Sequence, residues 1–146
     1  MEIVALLTGK GSSNLKNKNL LKIKKKPILW YPCSEAKKVK KINKFFASSE
    51  SSSILKCTSA FGYKSIKRPK FLSKANTRHH KVLLHALNEM KKQKIYPDIL
   101  VVLLANAPIV KEKWISDCIK KLIKNKNLTS VVPVLLNNDH NPLRAK

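Results

Sequence analysis

Two glycines and two lysines follow the first apolar run of the chain at positions that favour anion binding. Residues 3–7 are apolar, and the small, polar loop after them contains Gly9, Lys10 and Gly11. Lys18 follows a few residues later. Glycine lets the backbone approach a ligand closely and adopt positive φ angles, and free backbone N–H groups beside lysines form an anion-binding concavity. A phosphate chain is the natural ligand of such a loop, whereas the alternative is an ordinary strand-to-loop turn.

The loop matches neither of two familiar phosphate-binding motifs. No Gly-Lys-Ser/Thr closes it at the spacing of a Walker P-loop, and the third glycine of the Gly-x-Gly-x-x-Gly dinucleotide fingerprint is missing. The phosphate-binding interpretation therefore depends on what surrounds the loop.

Hydrophobic patterning predicts the elements that must position this loop. The predicted strands are residues 3–7, 45–48, 63–67, 99–104 and 130–136. The predicted helices begin at Pro27, near Ser51, at His79 and near Trp114, and Gly62 and Lys92 end the second and third of them. The strand at 99–104 is apolar throughout, as in a central parallel strand that is covered on both faces.

This alternation of strands and helices predicts an α/β fold with an open, mostly parallel, Rossmann-like sheet between helical layers. Ligands of such sheets bind at the carboxyl ends of the strands. We therefore expect the loops at 8–19, 48–51 and 105–108 to meet at one edge, with Arg68 nearby.

Length and composition indicate one domain over residues 1–146 of a cytoplasmic protein. No apolar stretch approaches the roughly 20 residues that a membrane-spanning helix needs, and the N-terminus lacks the pattern of a signal peptide. Cys33, Cys57 and Cys118 are odd in number and widely spaced, which favours reduced thiols over a disulfide framework.

The net charge of +23 raises the possibility of nucleic-acid binding. Only three of the 31 basic residues are arginine, namely Arg68, Arg78 and Arg144. Arginine is the residue that usually makes bidentate contacts with bases. We therefore expect weak, salt-sensitive adhesion to polyanions and no specific recognition of nucleic acid.

The sequence resembles the cytidylyltransferases that activate acidic sugars, namely the CMP-N-acylneuraminate (CMP-sialic acid) and CMP-Kdo synthetases. That family has a first strand followed by Ala-Arg-Gly-Gly-Ser-Lys-Gly-x-x-x-Lys-Asn and then a Gly-Lys-Pro-Leu-Ile continuation. The segments of this chain that are similar to family motifs are Thr8–Asn14, Lys18-Asn19, Pro27 to Leu29, Ser48-Ser49-Glu50, Arg68-Pro69, His85-Ala86-Leu87, Leu104 to Pro108, Ser130-Val131-Val132 and His140-Asn141-Pro142. The order and spacing of these segments carry the resemblance, which spans essentially the whole chain.

The resemblance implies a nucleotide-diphospho-sugar transferase type of fold and a nucleotidyltransferase activity. CTP and a 2-keto sugar acid, such as a sialic acid, would give CMP-sugar and pyrophosphate for the synthesis of cell-surface polysaccharides. By the same resemblance Lys10 and Lys18 would neutralise the triphosphate as catalytic residues. The nucleotide-binding residues would be Thr8, Gly9, Gly11, Ser12, Asn19, Arg68, Ala105, Asn106 and Pro108.

The resemblance also implies Mg²⁺ as a cofactor, although the sequence offers no ligand set for it. His79, His80, His85 and His140 do not form one, and only eight residues are acidic. Leu104 stands where the family has a glutamine that reads the base, and the family continues well beyond residue 146. We therefore expect a chain that lacks the family's C-terminal part and is poorly active alone. We expect its partner to be a second copy, in a homodimer, or a separate C-terminal polypeptide. The alternative is a nucleotide-binding accessory protein, or a basic nucleic-acid-binding protein, without catalytic activity.

Overall fold

The computed structural model describes residues 1–11, 15 and 17–134. The strands along the chain are β1 (Ile3–Thr8), β2 (Lys22–Ile23), β3 (Lys26–Pro27), β4 (Lys44–Ser49), β5 (Lys64–Lys67) and β6 (Ile99–Leu104). The helices are α1 (Trp30–Lys38), α2 (Ser52–Ser59), α3 (His79–Lys92) and α4 (Glu112–Lys124), with 3₁₀ turns at Lys18–Leu20 and Lys70–Ser73. The predicted bounds of α3 and β6 are confirmed, and β4, β5, α2 and α4 form where the sequence predicts them.

The main sheet has four parallel strands in the order β5-β4-β1-β6. The central strand, β1, is buried along its whole length. Its alternate residues pack on opposite sides, because successive side chains of a strand point to opposite faces. The fold class predicted from the sequence, an α/β fold with a mostly parallel sheet, is confirmed.

Helices cover both faces of this sheet. On one face, Ile3, Ala5 and Leu7 share a hydrophobic cluster with residues of α1, α2 and α4. On the other face, Val4 and Leu6 share a second cluster with residues of α3. The three layers hold β1 rigidly, so the loop that follows Thr8 starts from a fixed point.

A small hairpin occupies the position where the sequence predicts the start of a helix. Pro27 pairs with Lys22 across β2 and β3, and the two turn residues Lys24 and Lys25 have φ angles of 47° and 67°. Two positive φ angles define the type I′ turn that suits a tight hairpin. The prediction that Pro27 begins a helix is wrong. Proline has no N–H to donate, so it is tolerated in a small edge strand, and α1 begins at Trp30 instead.

The strand β6 differs from its predicted central position. Among the described residues it pairs only with β1, and the side chains of Val102 and Leu104 remain 38% and 47% exposed. Residues 130–134 of the predicted last strand are not in a strand, and residues 135–136 lie outside the described part. The apolar run at 99–104 therefore predicts a strand correctly but not its place within the described sheet.

The three cysteines lie in three different helices, as free thiols. Burial raises the pKa of the Cys33 thiol to about 12. None of the described helices is long and apolar enough to cross a bilayer.

Candidate functional site

The ends of β1, β4 and β6 meet at one edge of the sheet and are tied together by backbone hydrogen bonds. The N–H of Gly9 donates to the carbonyl of Ser48 over 3.1 Å, and the N–H of Ala105 donates to the carbonyl of Thr8 over 3.0 Å. These bonds extend the parallel ladder by one residue into each loop. The predicted meeting of the three loops is confirmed.

A cleft of about 310 Å³ opens above these strand ends. Its lining includes eight of the residues that the sequence predicts as site residues: Thr8, Gly9, Lys10, Lys18, Asn19, Arg68, Ala105 and Asn106. Gly11 borders a neighbouring depression with Glu50 and Ser51, and Pro108 does not line the cleft. Ser12 lies outside the described residues.

The cleft is strongly positive. Lys10, Lys18, Arg68 and Lys74 all contribute to its described lining, which contains no aspartate or glutamate. A water-filled cleft lined by charges of one sign concentrates ligands of the opposite sign. The arrangement therefore suits an anion with several charges, such as a phosphate chain.

A buried ion pair fixes the loop after β1. One nitrogen of Arg68, Nη2, donates to the carbonyl of Gly9 over 2.6 Å and to Oε2 of Glu50 over 2.8 Å. The other carboxylate oxygen of Glu50 accepts the N–H of Gly11 over 2.7 Å. Ser73 completes the network, because its hydroxyl donates to Glu50 over 2.8 Å and accepts from Nε of Arg68 over 3.0 Å. Glu50 and Arg68 thus hold both ends of the segment from Gly9 to Gly11.

The charges of this network are stable. The side chain of Arg68 is 4% exposed and that of Glu50 is 12% exposed. Burial by itself would raise the pKa of the Glu50 carboxyl, but hydrogen bonds from Arg68, Ser73 and backbone N–H groups outweigh it and lower the pKa to about 2. Glu50 is therefore ionised at every physiological pH. The sequence places Glu50 in a segment similar to a family motif, directly after β4, but does not indicate that it holds the loop after β1.

The two glycines of the loop serve close packing. A Cβ atom on Gly11 would lie 2.6 Å from Cβ of Ser51, and one on Gly9 would lie 3.2 Å from Cβ of Ala105. The only described glycine with a positive φ angle is Gly62, after α2. The expectation that Gly9 and Gly11 supply positive φ angles is therefore wrong, because their φ angles are ordinary and the space beside them is filled.

Asn19 supports the loop from the other side. Its side chain is 5% exposed, and its Nδ2 donates to the carbonyl of Lys10 over 2.9 Å. The backbone carbonyl of Asn19 accepts the N–H of Leu29 over 3.1 Å, which ties the loop to the segment before α1. The amide of Asn19 therefore positions the backbone of Lys10, and the partly exposed Lys18 lies beside it in the cleft.

His79 lies in the cleft, although the sequence indicated no role for it. Its Nε2 is 3.1 Å from the hydroxyl oxygen of Thr8. Partial burial and the positive charge of Arg68 lower the pKa of the imidazole. His79 is the first residue of α3, and the loop that starts at Arg68 leads to it. This position is the feature of the sequence that could have indicated a place for His79 beside the site.

The described residues do not fit a magnesium ion held by the protein alone. They contain no cluster of three or more histidine, cysteine, aspartate or glutamate side chains. Hard divalent cations prefer carboxylate and carbonyl oxygens. The carboxylate nearest the loop, Glu50, is already engaged by Arg68, Ser73 and Gly11. We therefore assign no metal ligand among these residues.

Residues 9–144 match a family model described as cytidylyltransferase. The chain is also 28% identical over 129 residues to a Helicobacter pylori protein described as a pseudaminic acid cytidylyltransferase and UDP-2,4-diacetamido-2,4,6-trideoxy-beta-L-altropyranose hydrolase. That alignment covers 87% of this chain and 25% of the relative.

Several solved structures have a similar fold. A CMP:2-keto-3-deoxy-manno-octonic acid synthetase in complex with CTP superposes with a TM-score of 0.73 and 19% identity, over 88% of this chain and 50% of the other. A cytidylyltransferase from Leptospira borgpetersenii superposes with a TM-score of 0.68 and 18% identity, over 86% of this chain and 50% of the other. The chain thus spans about half the length of these structures and a quarter of the curated relative.

Proposed function

Because the chain belongs to the cytidylyltransferase family, we propose that its cationic cleft binds the triphosphate of CTP, for transfer of CMP to an acidic sugar. The observation that carries this proposal is the cleft itself. Lys10, Lys18 and Arg68 meet there, at the carboxyl ends of the strands, without a carboxylate in the described lining. This is the edge at which open α/β sheets bind ligands.

In this proposal the two lysines neutralise the triphosphate, and the fixed loop aligns it. A hydroxyl oxygen of the sugar attacks the α-phosphorus and its proton is lost to solvent. The bond between the α-phosphorus and the oxygen that bridges to the β-phosphate breaks, and pyrophosphate leaves with the electron pair. Negative charge is redistributed along the phosphates during this step, so the positive charges of Lys10 and Lys18 stabilise it. The clamp of Glu50 and Arg68 keeps the loop backbone in place and so reduces the reorganisation that binding requires.

The cytidine would lie toward the segment after β6. Ala105 and Asn106 line the cleft there, with Leu104 beside them. Asn106 is exposed and has an amide that can both donate and accept hydrogen bonds. Leu104 can contribute only apolar contact, so we assign base discrimination to the backbone and to Asn106.

We further propose a 2-keto sugar acid as the acceptor, similar to sialic acid. The relatives support an acidic sugar, since one is described as acting on pseudaminic acid and another as a synthetase of CMP-linked 2-keto-3-deoxy-manno-octonic acid. The described residues provide no magnesium ligand set. We therefore propose that these 146 residues bind CTP but form CMP-sugar slowly on their own, and that a homodimer or further polypeptide raises the rate.

Calorimetric titration with CTP, with ATP as the comparison nucleotide and at moderate salt, tests the proposal. We expect CTP to bind more tightly than ATP and Lys18→Ala to weaken CTP binding about tenfold, which is about 1.4 kcal/mol. Lys22→Ala is the matched control, because Lys22 is an exposed lysine of β2 outside the cleft. We expect this variant to bind CTP almost as the unmodified chain does.

The net charge of +23 favours one competing function, a basic protein that adheres to nucleic acid. That function predicts equal binding of CTP and ATP, a steep loss of affinity for duplex DNA with salt, and equal effects of Lys18→Ala and Lys22→Ala. This pattern would refute the proposed function.

A further inference from the structure

His79 is a titratable side chain in the cleft that the proposed reaction does not use. Its imidazole Nε2 lies 3.1 Å from the hydroxyl oxygen of Thr8, the last residue of β1. The same hydroxyl lies 3.4 Å from the carbonyl of Leu103. His79 is therefore held against the strand end from which the loop of Lys10 begins, and it lines the same cleft as Lys10 and Lys18.

The charged side chains that line the described cleft together with His79 are all positive, and one of them, Arg68, is paired on its far side with Glu50. Arg68 follows β5, Lys74 follows the 3₁₀ turn at Lys70–Ser73, and Lys10 and Lys18 come from the loop after β1. No carboxylate belongs to the described cleft lining. Adding a proton to His79 in the free protein therefore adds a charge to a site that already repels it, and partial burial adds to this cost.

An anion in the cleft reverses this balance. A triphosphate brings several negative charges next to the same imidazole, and an opposite charge within a few ångströms favours the protonated form of histidine. Whatever raises proton affinity in the complex must, by linkage, raise anion affinity when the proton is present.

We propose that His79 takes up a proton from solvent when a triphosphate enters the cleft, and so becomes an additional cationic ligand of the phosphates. This inference rests on the proposed function, because it requires the triphosphate to bind in this cleft. It adds to that function a coupling between nucleotide binding and pH. The contribution of His79 makes binding tighter at pH 6 than at pH 8, and through His79 each binding event removes a fraction of a proton from solution.

The test compares His79→Gln with His80→Gln, because the two adjacent histidines are both exposed but only His79 lines the cleft. Calorimetry at pH 7 in buffers of different ionisation enthalpy measures the protons taken up as CTP or inorganic tripolyphosphate binds. We expect less uptake in His79→Gln than in the unmodified chain, and unchanged uptake in His80→Gln. Between pH 8 and pH 6 the unmodified chain should gain several-fold more affinity than His79→Gln, because a rise of one pH unit in the pKa of one group corresponds to a limit of about tenfold when the group titrates completely. The phosphates titrate equally in all three proteins, so their contribution cancels.

A nuclear magnetic resonance titration of the imidazole gives an independent readout. We expect the pKa of His79 to rise when tripolyphosphate is added, whereas the pKa of a histidine with a purely structural role would not change. Equal proton uptake and equal pH profiles in the unmodified chain and His79→Gln, with CTP binding intact, would refute this inference and leave the proposed function standing. Failure of all three proteins to bind either anion would refute both.

Discussion

The replacement Glu50→Gln tests the clamp that fixes the loop after β1. Glutamine has nearly the same shape as glutamate but no charge, so it leaves the buried guanidinium of Arg68 without its counter-ion. Removing one partner of a buried ion pair destabilises a protein much more than the pair as a whole stabilises it. We therefore expect the folded state to lose free energy relative to the unfolded chain.

The size of this loss follows from the pKa of Glu50. The pKa falls from an ordinary value of 4.5 to about 2 in the folded chain. At about 1.36 kcal/mol for each pH unit, this difference corresponds to about 3 kcal/mol in favour of the ionised form. Solvent reaches part of the carboxylate and screens it, which reduces the expected loss in Glu50→Gln to about 2 kcal/mol at pH 7.

The loss should depend on pH with a definite sign. Because the pKa of Glu50 is lower in the folded than in the unfolded chain, its ionised form stabilises the fold above pH 4.5. This contribution declines as the pH falls below 4.5 and is lost below a pH of about 2. Glutamine does not titrate, so the difference between the two proteins should shrink over that same range.

Urea unfolding at pH 7, 5, 4 and 3, followed by tryptophan fluorescence, measures this difference. The large positive charge of the chain affects both proteins alike and cancels from the comparison. Glu89→Gln is the control, because Glu89 forms only an i,i+3 pair with Lys92 on the surface of α3 and should change stability little. A loss in Glu50→Gln below about 0.5 kcal/mol at pH 7, or an equal loss at pH 7 and pH 3, would refute this account of the clamp.

Three further predictions follow from local geometry. Lys25→Gly should stabilise the chain by about 0.5 kcal/mol in urea unfolding, since φ at Lys25 is 67° and the relief of left-handed strain exceeds the added flexibility of glycine; a loss of stability would contradict it. Gly11→Ala should weaken CTP binding several-fold in calorimetry, because its Cβ would lie 2.6 Å from that of Ser51, and Ser51→Gly in the same chain should restore much of the affinity; no rescue would argue against the steric cause. Cys33, buried and with its pKa raised to about 12, should react with a thiol reagent only after unfolding, which a count of reactive thiols with and without urea will measure.

Local pattern in the sequence was sufficient to predict most of the elements. The helix at His79–Lys92 has apolar residues at spacings of three and four, and the strand at Ile99–Leu104 has six apolar residues in succession. Both signals arise from one contiguous segment, so they survive without knowledge of the partners. The hairpin around Lys24 and Lys25 was not predicted, because its turn lacks the usual local signal. It contains lysines where asparagine and glycine usually supply positive φ angles.

The general place of the site was also predictable, since loops after parallel strands meet at one edge of a sheet. Thr8, Lys10, Lys18 and Arg68 do line one cleft there. Their chemical roles in nucleotide binding stay predictions, and Ser12 lies outside the described residues. The family, in turn, was recognisable from the order and spacing of short motifs over most of the chain, and residues 9–144 match its model.

The sequence by itself determined the succession of strands and helices, the basic loop after β1 and the family to which the chain belongs. Each of these features depends only on neighbouring residues or on the spacing of short motifs. Only the tertiary structure decided which side chains meet. Glu50 reaches Gly11 across 39 positions of the chain, and His79 reaches Thr8 across 71. No local pattern encodes such pairs, because the sheet brings them together only after β1, β4 and α3 have packed. The same packing decides that Arg68 is buried against Glu50 and Gly9. There it fixes the loop to which Lys10, a residue of the cleft lining, belongs.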